Sequence, residues 1–209
     1  MFLMFAFLFL INLNLQKTLF HYCELFKNRI FFMKEEENPW KTLKSKETYS
    51  NSWIKVTEHQ TVNTAKKEGI YGVVHFKNIA IGIIPLDEDY NTWLVGQYRY
   101  PLKAYSWEIC EGGGLIGEDV LSSAKRELLE ELGIKAKDWN YIMNVHLSNS
   151  VTDEKGVIYI AKNLTFQTPE PEDCEVLQIK KLPFKEVINS NLSLNLLTEI
   201  ILVSISKSL

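Results

Sequence analysis

The sequence predicts a mixed α+β domain in which many antiparallel strands accompany one well-defined central helix. Short segments of high β-propensity, separated by polar turns, recur from about residue 50, and one later segment repeats apolar residues at helical spacing. A chain of 209 residues with 46% hydrophobic side chains is also large enough for one ordinary core. The net charge of −3 gives no electrostatic reason to expect a nucleic-acid partner.

Residues 1–32 form a separate compositional region, with 8 of the 11 phenylalanines and no Gly, Pro or Trp. Their apolar run, residues 1–11, is shorter than the roughly 20 residues of a membrane-spanning helix, and the other parts of a signal peptide are missing. Three interpretations stay open: an unusual membrane anchor, an added amphipathic helix, or translated upstream sequence before a start at Met33. We expect a dispensable extension over 1–32 and a domain over 33–209, with no membrane association unless the extension is native.

The strands are predicted in order along the chain, each as a β-prone run that ends at a polar turn or a proline. The predicted runs are 53–62, 70–76, 79–86, 92–99, 140–147, 156–166 and 175–182. The polar turn at 87–91 suggests that 79–86 and 92–99 form a hairpin. Apolar residues near helical spacing over Leu192–Lys207 predict an amphipathic C-terminal helix.

Cysteine and histidine usage favours a cytoplasmic protein without a zinc or disulfide site. The three cysteines are odd in number and widely spaced, and the four histidines are scattered without metal-ligand spacing. We therefore expect free, at least partly buried thiols and structural or surface histidines.

The central helix has a start signal, an apolar face and a stop signal. Asp119 can cap the first turn by accepting backbone N–H groups, and Gly133 can supply the left-handed residue that closes the last turn. Between them one apolar stripe recurs at steps of three and four residues: Leu121, Ala124, Leu128 and Leu132.

Three carboxylates share an arc of roughly 100° on this helix, opposite in character to the apolar stripe. They are Glu127, Glu130 and Glu131. Such a cluster is either a solvated acidic face, with Lys125 and Arg126 nearby, or a set of the hard oxygen ligands that Mg²⁺ and Mn²⁺ prefer.

Four glycines crowd the segment ahead of the helix, where we predict a loop between a strand and the helix. Glycine permits close approach of backbone to a ligand, so Gly112 and Gly113 are candidates to face phosphate or metal. The segment is neither a P-loop nor a dinucleotide fingerprint, because the required lysine and glycine spacings are missing.

Taken together, residues 112–134 resemble the Nudix hydrolase signature, G-x5-E-x7-R-E-U-x-E-E-x-G-U, where U is a bulky aliphatic residue. Every fixed position of the 23-residue pattern matches: Gly112, Glu118, Arg126, Glu127, Leu128, Glu130, Glu131, Gly133 and Ile134. The resemblance implies an α/β/α sandwich around a mixed sheet, preceded here by an N-terminal antiparallel strand region. It also implies that the loop and helix are the catalytic element.

The flanking sequence resembles the subgroup of ADP-ribose pyrophosphatases and nucleoside-diphosphate-sugar hydrolases. Gln97–Pro101 and Trp107–Ile109 carry this likeness, which places Arg99 near the substrate's phosphates. Trp107 is a candidate to stack on the base, with core packing as the alternative. Where many relatives have Pro-Ala, this chain has Cys110-Glu111, and Glu111 is expected to offer its backbone carbonyl to a metal.

The resemblance also implies roles for the charged residues of the motif. Glu127 and Glu131 are expected to bind Mg²⁺, for which Mn²⁺ could substitute, with Glu130 as a further ligand or a catalytic group beside them. Arg126 is expected to orient these carboxylates, and Glu118 to tie the loop to the helix. Beyond the helix, Glu154 is the expected catalytic base, with Asp153 as the competing choice.

The function implied is hydrolysis of the diphosphate bond in ADP-ribose or a nucleoside diphosphate sugar, giving a nucleoside monophosphate and a sugar phosphate. Hydrolysis of nucleoside triphosphates or RNA 5′ ends is the alternative, and a nucleotide-sensing protein without turnover is a third. By resemblance we also expect a homodimer.

Overall fold

The computed structural model describes residues 37–169, 176–189, 192–194 and 198. The predicted extension at 1–32, and all but 192–194 and 198 of the predicted C-terminal helix, lie outside these residues. In this described part, no helix combines the length and apolar character needed to cross a membrane.

The described residues contain ten strands and two helices. The strands are β1 (Lys41–Ser50), β2 (Ile54–Val62), β3 (Glu68–Phe76), β4 (Asn78–Pro85), β5 (Asn91–Arg99), β6 (Ala104–Glu108), β7 (Cys110–Leu115), β8 (Ile134–His146), β9 (Lys155–Phe166) and β10 (Gln178–Pro183). The helices are α1 (Val120–Leu132) and α2 (Phe184–Asn189).

The chain divides into two compact units, one of residues 1–41 with 62–68 and one of residues 42–61 with 69–209. In the described part of the first unit, the Asn63 side chain accepts hydrogen bonds from the backbone N–H groups of Ala65 (2.9 Å) and Lys67 (3.0 Å). The core and the candidate site belong to the second unit.

Three sheets organise the described strands, and their arrangement confirms the predicted α+β class. Their strand orders are β1-β2-β3, β10-β5-β6 and β7-β4-β9-β8. The last sheet is mixed, because β4 pairs parallel with β9 and antiparallel with β7, and β8 pairs antiparallel with β9.

Helix α1 packs its predicted apolar stripe into the core. Ala124, Leu128 and Leu132 share a buried cluster with β4 and β5, whereas Leu121 is half-buried. Burial of several large side chains is the main stabilising term for such an element, at about 1.5–3 kcal/mol for each one fully buried.

The predicted hairpin between 79–86 and 92–99 is wrong, because β4 and β5 belong to different sheets. Residues 81–85 of β4 and 92–96 of β5 are buried on both faces, which is typical of strands inside layered sheets rather than of an exposed hairpin. The polar turn carries the chain between the sheets. Asp87 fixes it by accepting hydrogen bonds from the backbone N–H groups of Asp89 (3.1 Å) and Asn91 (2.7 Å).

The predicted glycine loop is also wrong in part, because Gly112, Gly113 and Gly114 lie within β7 and pair with β4. Only Gly117 of the four glycines has a positive φ, at 100°. The strand glycines instead make room for the helix: a Cβ at Gly112 would collide with the carboxyl group of Glu127, and one at Gly114 would lie 3.0 Å from Ser123 Oγ.

Three further elements were not predicted: β1, the short strand β6, and α2. Strand β1 is exposed along its whole length, so no alternation of apolar and polar residues marks it, and it begins earlier than the predicted onset near residue 50. Helix α2 has only six residues, too few for a periodic pattern.

Candidate active site

Helix α1 begins and ends where the sequence predicts. The Asp119 carboxylate accepts hydrogen bonds from the Ser122 backbone N–H (3.0 Å) and hydroxyl (2.6 Å), which hold the pKa of Asp119 below its ordinary value. Gly133 lies in the left-handed region (φ 64°, ψ 27°), and its N–H donates to Leu129 O at 2.9 Å. Both caps are confirmed.

Arg126 ties the acidic side of α1 to strand β7. Its guanidinium donates to Glu127 Oε1 and Glu130 Oε2, both at 2.6 Å, and to the backbone oxygen of Gly113 at 3.0 Å. Glu127 Oε1 also accepts the Gly113 N–H at 3.1 Å. The arginine therefore fixes two carboxylates and the glycine strand in one network.

Half-buried and buried carboxylates lie beside this network. Burial raises the pKa of Glu127, and the neighbouring Arg126 opposes that rise. Burial also raises the pKa of the Cys110 thiol well above its ordinary range, and the carboxylates of Glu131, Glu127 and Glu111 raise it further. These three acidic groups thus share one small, poorly solvated region. Cys110 itself is a buried free thiol, as expected.

Arg99 lies at the end of β5 and is held there by a buried acid, Glu108, which was not predicted from the sequence. Its guanidinium donates to both carboxylate oxygens of Glu108, and it lies 3.8 Å from Glu111 Oε2. The residue Glu108 is only 1% exposed. The sequence did contain a signal for this pair. Glu108 stands between two large apolar residues, Trp107 and Ile109, and a carboxylate buried among such residues requires a charged partner.

A cavity of about 250 Å³ brings together residues from separate parts of the chain. Arg99, Glu111, Gly112 and Glu154 line it, together with aliphatic residues that include Val145, Leu147 and Ile158.

Among the predicted site residues, Gly113 of β7 and four residues of α1 (Arg126, Glu127, Glu130 and Glu131) belong to the network and the acidic region described above and do not line the cavity. Trp107 and Glu118 belong to neither group. Trp107 packs against the core, with Lys180 Nζ 4.2 Å from its ring centroid and Tyr105 against it edge-on. Glu118 is exposed, and within the described residues its side chain makes no hydrogen bond or ion pair to α1.

The structure separates the two candidates for the catalytic base. Glu154 lines the cavity, and burial raises its pKa. Asp153 instead binds β3: its carboxylate hydrogen bonds to His75 Nδ1 (2.6 Å) and accepts the Phe76 N–H (3.1 Å). Burial alone would raise the pKa of Asp153, but these hydrogen bonds outweigh it and lower that pKa.

Comparison with known proteins adds the decisive observation, because residues 76–198, more than half of the chain, match the NUDIX domain. The chain belongs to the Nudix family. Ahead of the Nudix domain, residues 40–74 match the nucleoside diphosphate sugar hydrolase N-terminal domain, which covers most of β1–β3.

Three curated relatives are similar to this Nudix chain in sequence. It is 32% identical to an ADP-ribose pyrophosphatase of Mycobacterium tuberculosis (strain ATCC 25618 / H37Rv) over 44% of each chain. It is 30% identical to a methanol dehydrogenase activator of Bacillus methanolicus, over 60% of this chain and 67% of the relative. It is 29% identical to the ADP compounds hydrolase NudE of Escherichia coli (strain K12), over 53% of this chain and 59% of the relative.

The chain thus spans about half the length of the curated relatives it matches. A solved structure, a crystal structure of ADP compounds hydrolase, superposes with a TM-score of 0.71 at 19% identity. The match covers 84% of this chain and 97% of that one, and it shows that the Nudix fold is shared.

Nudix hydrolases generally use divalent metal ions, and the acidic side of α1 fits such an ion by its chemistry. Glu127 and Glu131 supply hard oxygen donors: burial raises the pKa of Glu127, and Glu131 is buried. Across the described ranges, no three His, Cys, Asp or Glu side chains are already grouped at coordinating distances. Both donors lie on α1, where Arg126 is paired to Glu127 and Glu130.

Proposed function

We propose that this protein hydrolyses the diphosphate bond of ADP-ribose or a nucleoside diphosphate sugar, in a reaction that depends on Mg²⁺. The observation that carries the proposal is the cavity shared by Arg99, Glu111, Gly112 and Glu154, where Gly112 packs against Glu127 of the Nudix helix. The names of the mycobacterial and E. coli relatives support this class of substrate.

Arg99 would bind the diphosphate. The Arg99 side chain is 36% exposed, so its guanidinium can reach a ligand in the cavity, while Glu108 holds its position. An arginine suits this task because its planar, permanently charged group matches phosphate oxygens. The backbone of Gly112 and Gly113, which has no side chain in the way, would approach the same phosphates.

Glu127 and Glu131 would hold the Mg²⁺ or Mn²⁺ ion, with Glu130 and the backbone carbonyl of Glu111 as additional ligands. When bound, such ions lower the pKa of a water molecule and neutralise charge on the diphosphate. Arg126 would keep Glu127 and Glu130 oriented, as its two 2.6 Å hydrogen bonds indicate. Glu130 would thus act either as a further ligand or as a catalytic group beside the ligands.

Glu154 would act as the general base that takes a proton from the attacking water. Burial raises its pKa, and no cation contributes to that shift. A carboxylate with a raised pKa is a stronger base, which brings it closer to the value that is best near neutral pH. Asp153, whose pKa is lowered and whose two oxygens are occupied, is less suited to this role.

A hydrolysis panel with product identification tests the proposal. ADP-ribose, several nucleotide sugars, dinucleoside polyphosphates, nucleoside triphosphates and 5′-triphosphorylated RNA are each incubated with the protein and Mg²⁺, with a chelator as control. We expect a nucleoside monophosphate and a sugar phosphate from the first two classes. Preference for triphosphates or RNA would favour the alternative enzyme, and no turnover of any compound would favour a nucleotide-sensing protein.

We also propose that residues 1–32 are dispensable for this chemistry, because every residue assigned above lies beyond them. A variant lacking residues 1–32 should keep its kcat for ADP-ribose, and a large loss would contradict this. The same preparation, analysed by light scattering, tests the proposed homodimer, and cell fractionation tests the proposed cytoplasmic location.

A further inference from the structure

The loop that carries Glu154, residues 148–154, connects β8 to β9 of the mixed sheet but is attached to β3 of the N-terminal sheet. The Val74 N–H donates to Val151 O at 2.9 Å, and the Asp153 N–H donates to Val74 O at 3.2 Å. The loop therefore pairs with β3 through backbone hydrogen bonds, in a short parallel bridge between Thr152 and Val74.

Side chains reinforce this attachment next to the proposed base. The Asp153 carboxylate uses one oxygen on His75 Nδ1 at 2.6 Å and the other on the Phe76 N–H at 3.1 Å. Because a carboxylate can only accept, the His75 ring donates from Nδ1. The His75 side chain is 28% exposed, so water competes only partly for this hydrogen bond.

Glu154 lacks such anchors of its own. Within the described residues its carboxylate makes no hydrogen bond or ion pair, and burial alone accounts for its shifted pKa. Its main chain is fixed at Leu147, whose N–H donates to Glu154 O at 3.2 Å. The direction of its side chain into the cavity therefore depends on the backbone of the preceding residue, Asp153.

We propose that His75 is a positioning residue for catalysis: by holding Asp153 on β3, it places the Glu154 carboxylate in the cavity beside Arg99 and Glu111. This inference rests on the proposed function, and it extends the active site to a histidine that the sequence analysis treated as structural or surface. It also gives the N-terminal sheet a direct part in the arrangement of the site.

The test compares three variants of the full chain with wild type. His75→Leu removes the hydrogen bond, His75→Asn keeps a donor near the position of Nδ1, and His59→Leu is the matched control. His59 lies in the same sheet and hydrogen bonds through Nδ1 to Ser45 Oγ at 2.8 Å.

We expect His75→Leu to lower kcat for ADP-ribose by about 10- to 100-fold with little change in KM, because a base displaced by about 1 Å costs that much. His75→Asn should recover most of the loss, and His59→Leu should behave like wild type. Equal losses in His75→Leu and His59→Leu, no recovery in His75→Asn, or an unchanged kcat in His75→Leu would each overturn the proposal.

Hydrogen exchange of the backbone amides in the loop gives a readout that does not need turnover. Exchange at Asp153 should be faster in His75→Leu than in wild type and near wild type in His75→Asn and His59→Leu. If wild type hydrolyses nothing in the panel, the proposed function has failed, and this exchange pattern still decides whether His75 fixes the loop. An unchanged exchange rate in His75→Leu would overturn the positioning role in either case.

Discussion

The two acidic regions of the site are held in place by different means. On α1, Arg126 lies within one turn of both Glu127 and Glu130 and pairs with each of them. Glu154 lies on a loop whose anchors, Val74, His75 and Phe76, are far away in the sequence. Burial raises the pKa of Glu127 and of Glu154, but only Glu127 has a cation that opposes the shift.

The helix is therefore a self-contained part of the site, whereas the position of the loop depends on tertiary structure. The helix brings its proposed metal ligands and their counter-charge together in a segment of 13 residues. The loop contributes one carboxylate whose position and protonation are set by surroundings that other elements provide. The two regions should therefore respond differently to substitution and to pH.

The largest effect should come from the loop. Glu154→Gln removes the proposed base while keeping the shape of the side chain, and we expect kcat for ADP-ribose to fall by about 100- to 10,000-fold. Asp153→Asn is the matched neighbour and should cost only about 10- to 100-fold, because it disturbs a supporting contact. Steady-state kinetics with Mg²⁺ measures both, and a larger loss in Asp153→Asn would move the base assignment to Asp153.

The next largest effect should come from the helix. Glu131→Gln and Glu127→Gln each remove one charged oxygen ligand, and we expect a loss of about 100- to 1000-fold in kcat, as for other removals of charge stabilisation. Lys125→Gln, an exposed change on the same helix, serves as the control and should leave kcat unchanged. If Mg²⁺-dependent turnover survives in both glutamine variants, the metal assignment is wrong.

The pH profile of kcat/KM should distinguish the two regions further. A base must be deprotonated, so activity should fall as the pH drops through the pKa of Glu154, which lies above the ordinary value of 4.5. Glu154→Gln should flatten this acid limb in its residual activity. If the acid limb is unchanged in Glu154→Gln, another group titrates there. Glu127 on the helix, whose pKa is also raised, is then the first alternative.

The smallest effect should be on stability, and it probes the packing of α1 on β7. Gly112→Ala places a methyl group against the Glu127 carboxyl group, and we expect it to lower the free energy of unfolding by about 1–3 kcal/mol. Gly69→Ala in β3, where a Cβ meets nothing within 4 Å, is the control. Urea unfolding measures both, and equal stabilities would show that the helix can move away from the strand without cost.

Only part of this site could be predicted from the sequence, and the division follows the range of the interactions. The caps at Asp119 and Gly133 and the stripe of α1 were predictable because each depends on residues within a turn or two. The strands that pair with β4 could not be predicted, because the sequence of an apolar strand buried on both faces does not indicate which strands lie beside it.

Local spacing and a motif of 23 residues were sufficient to identify the family, the Nudix helix and the set of candidate acids. Tertiary structure alone separated Glu154 from Asp153, paired Arg99 with the buried Glu108, and put Trp107 against the core. These features could not be predicted because the burial and the hydrogen-bond partners of a side chain depend on which distant segments of the chain meet. Two adjacent carboxylates can therefore look alike in a sequence and differ in environment once the chain has folded.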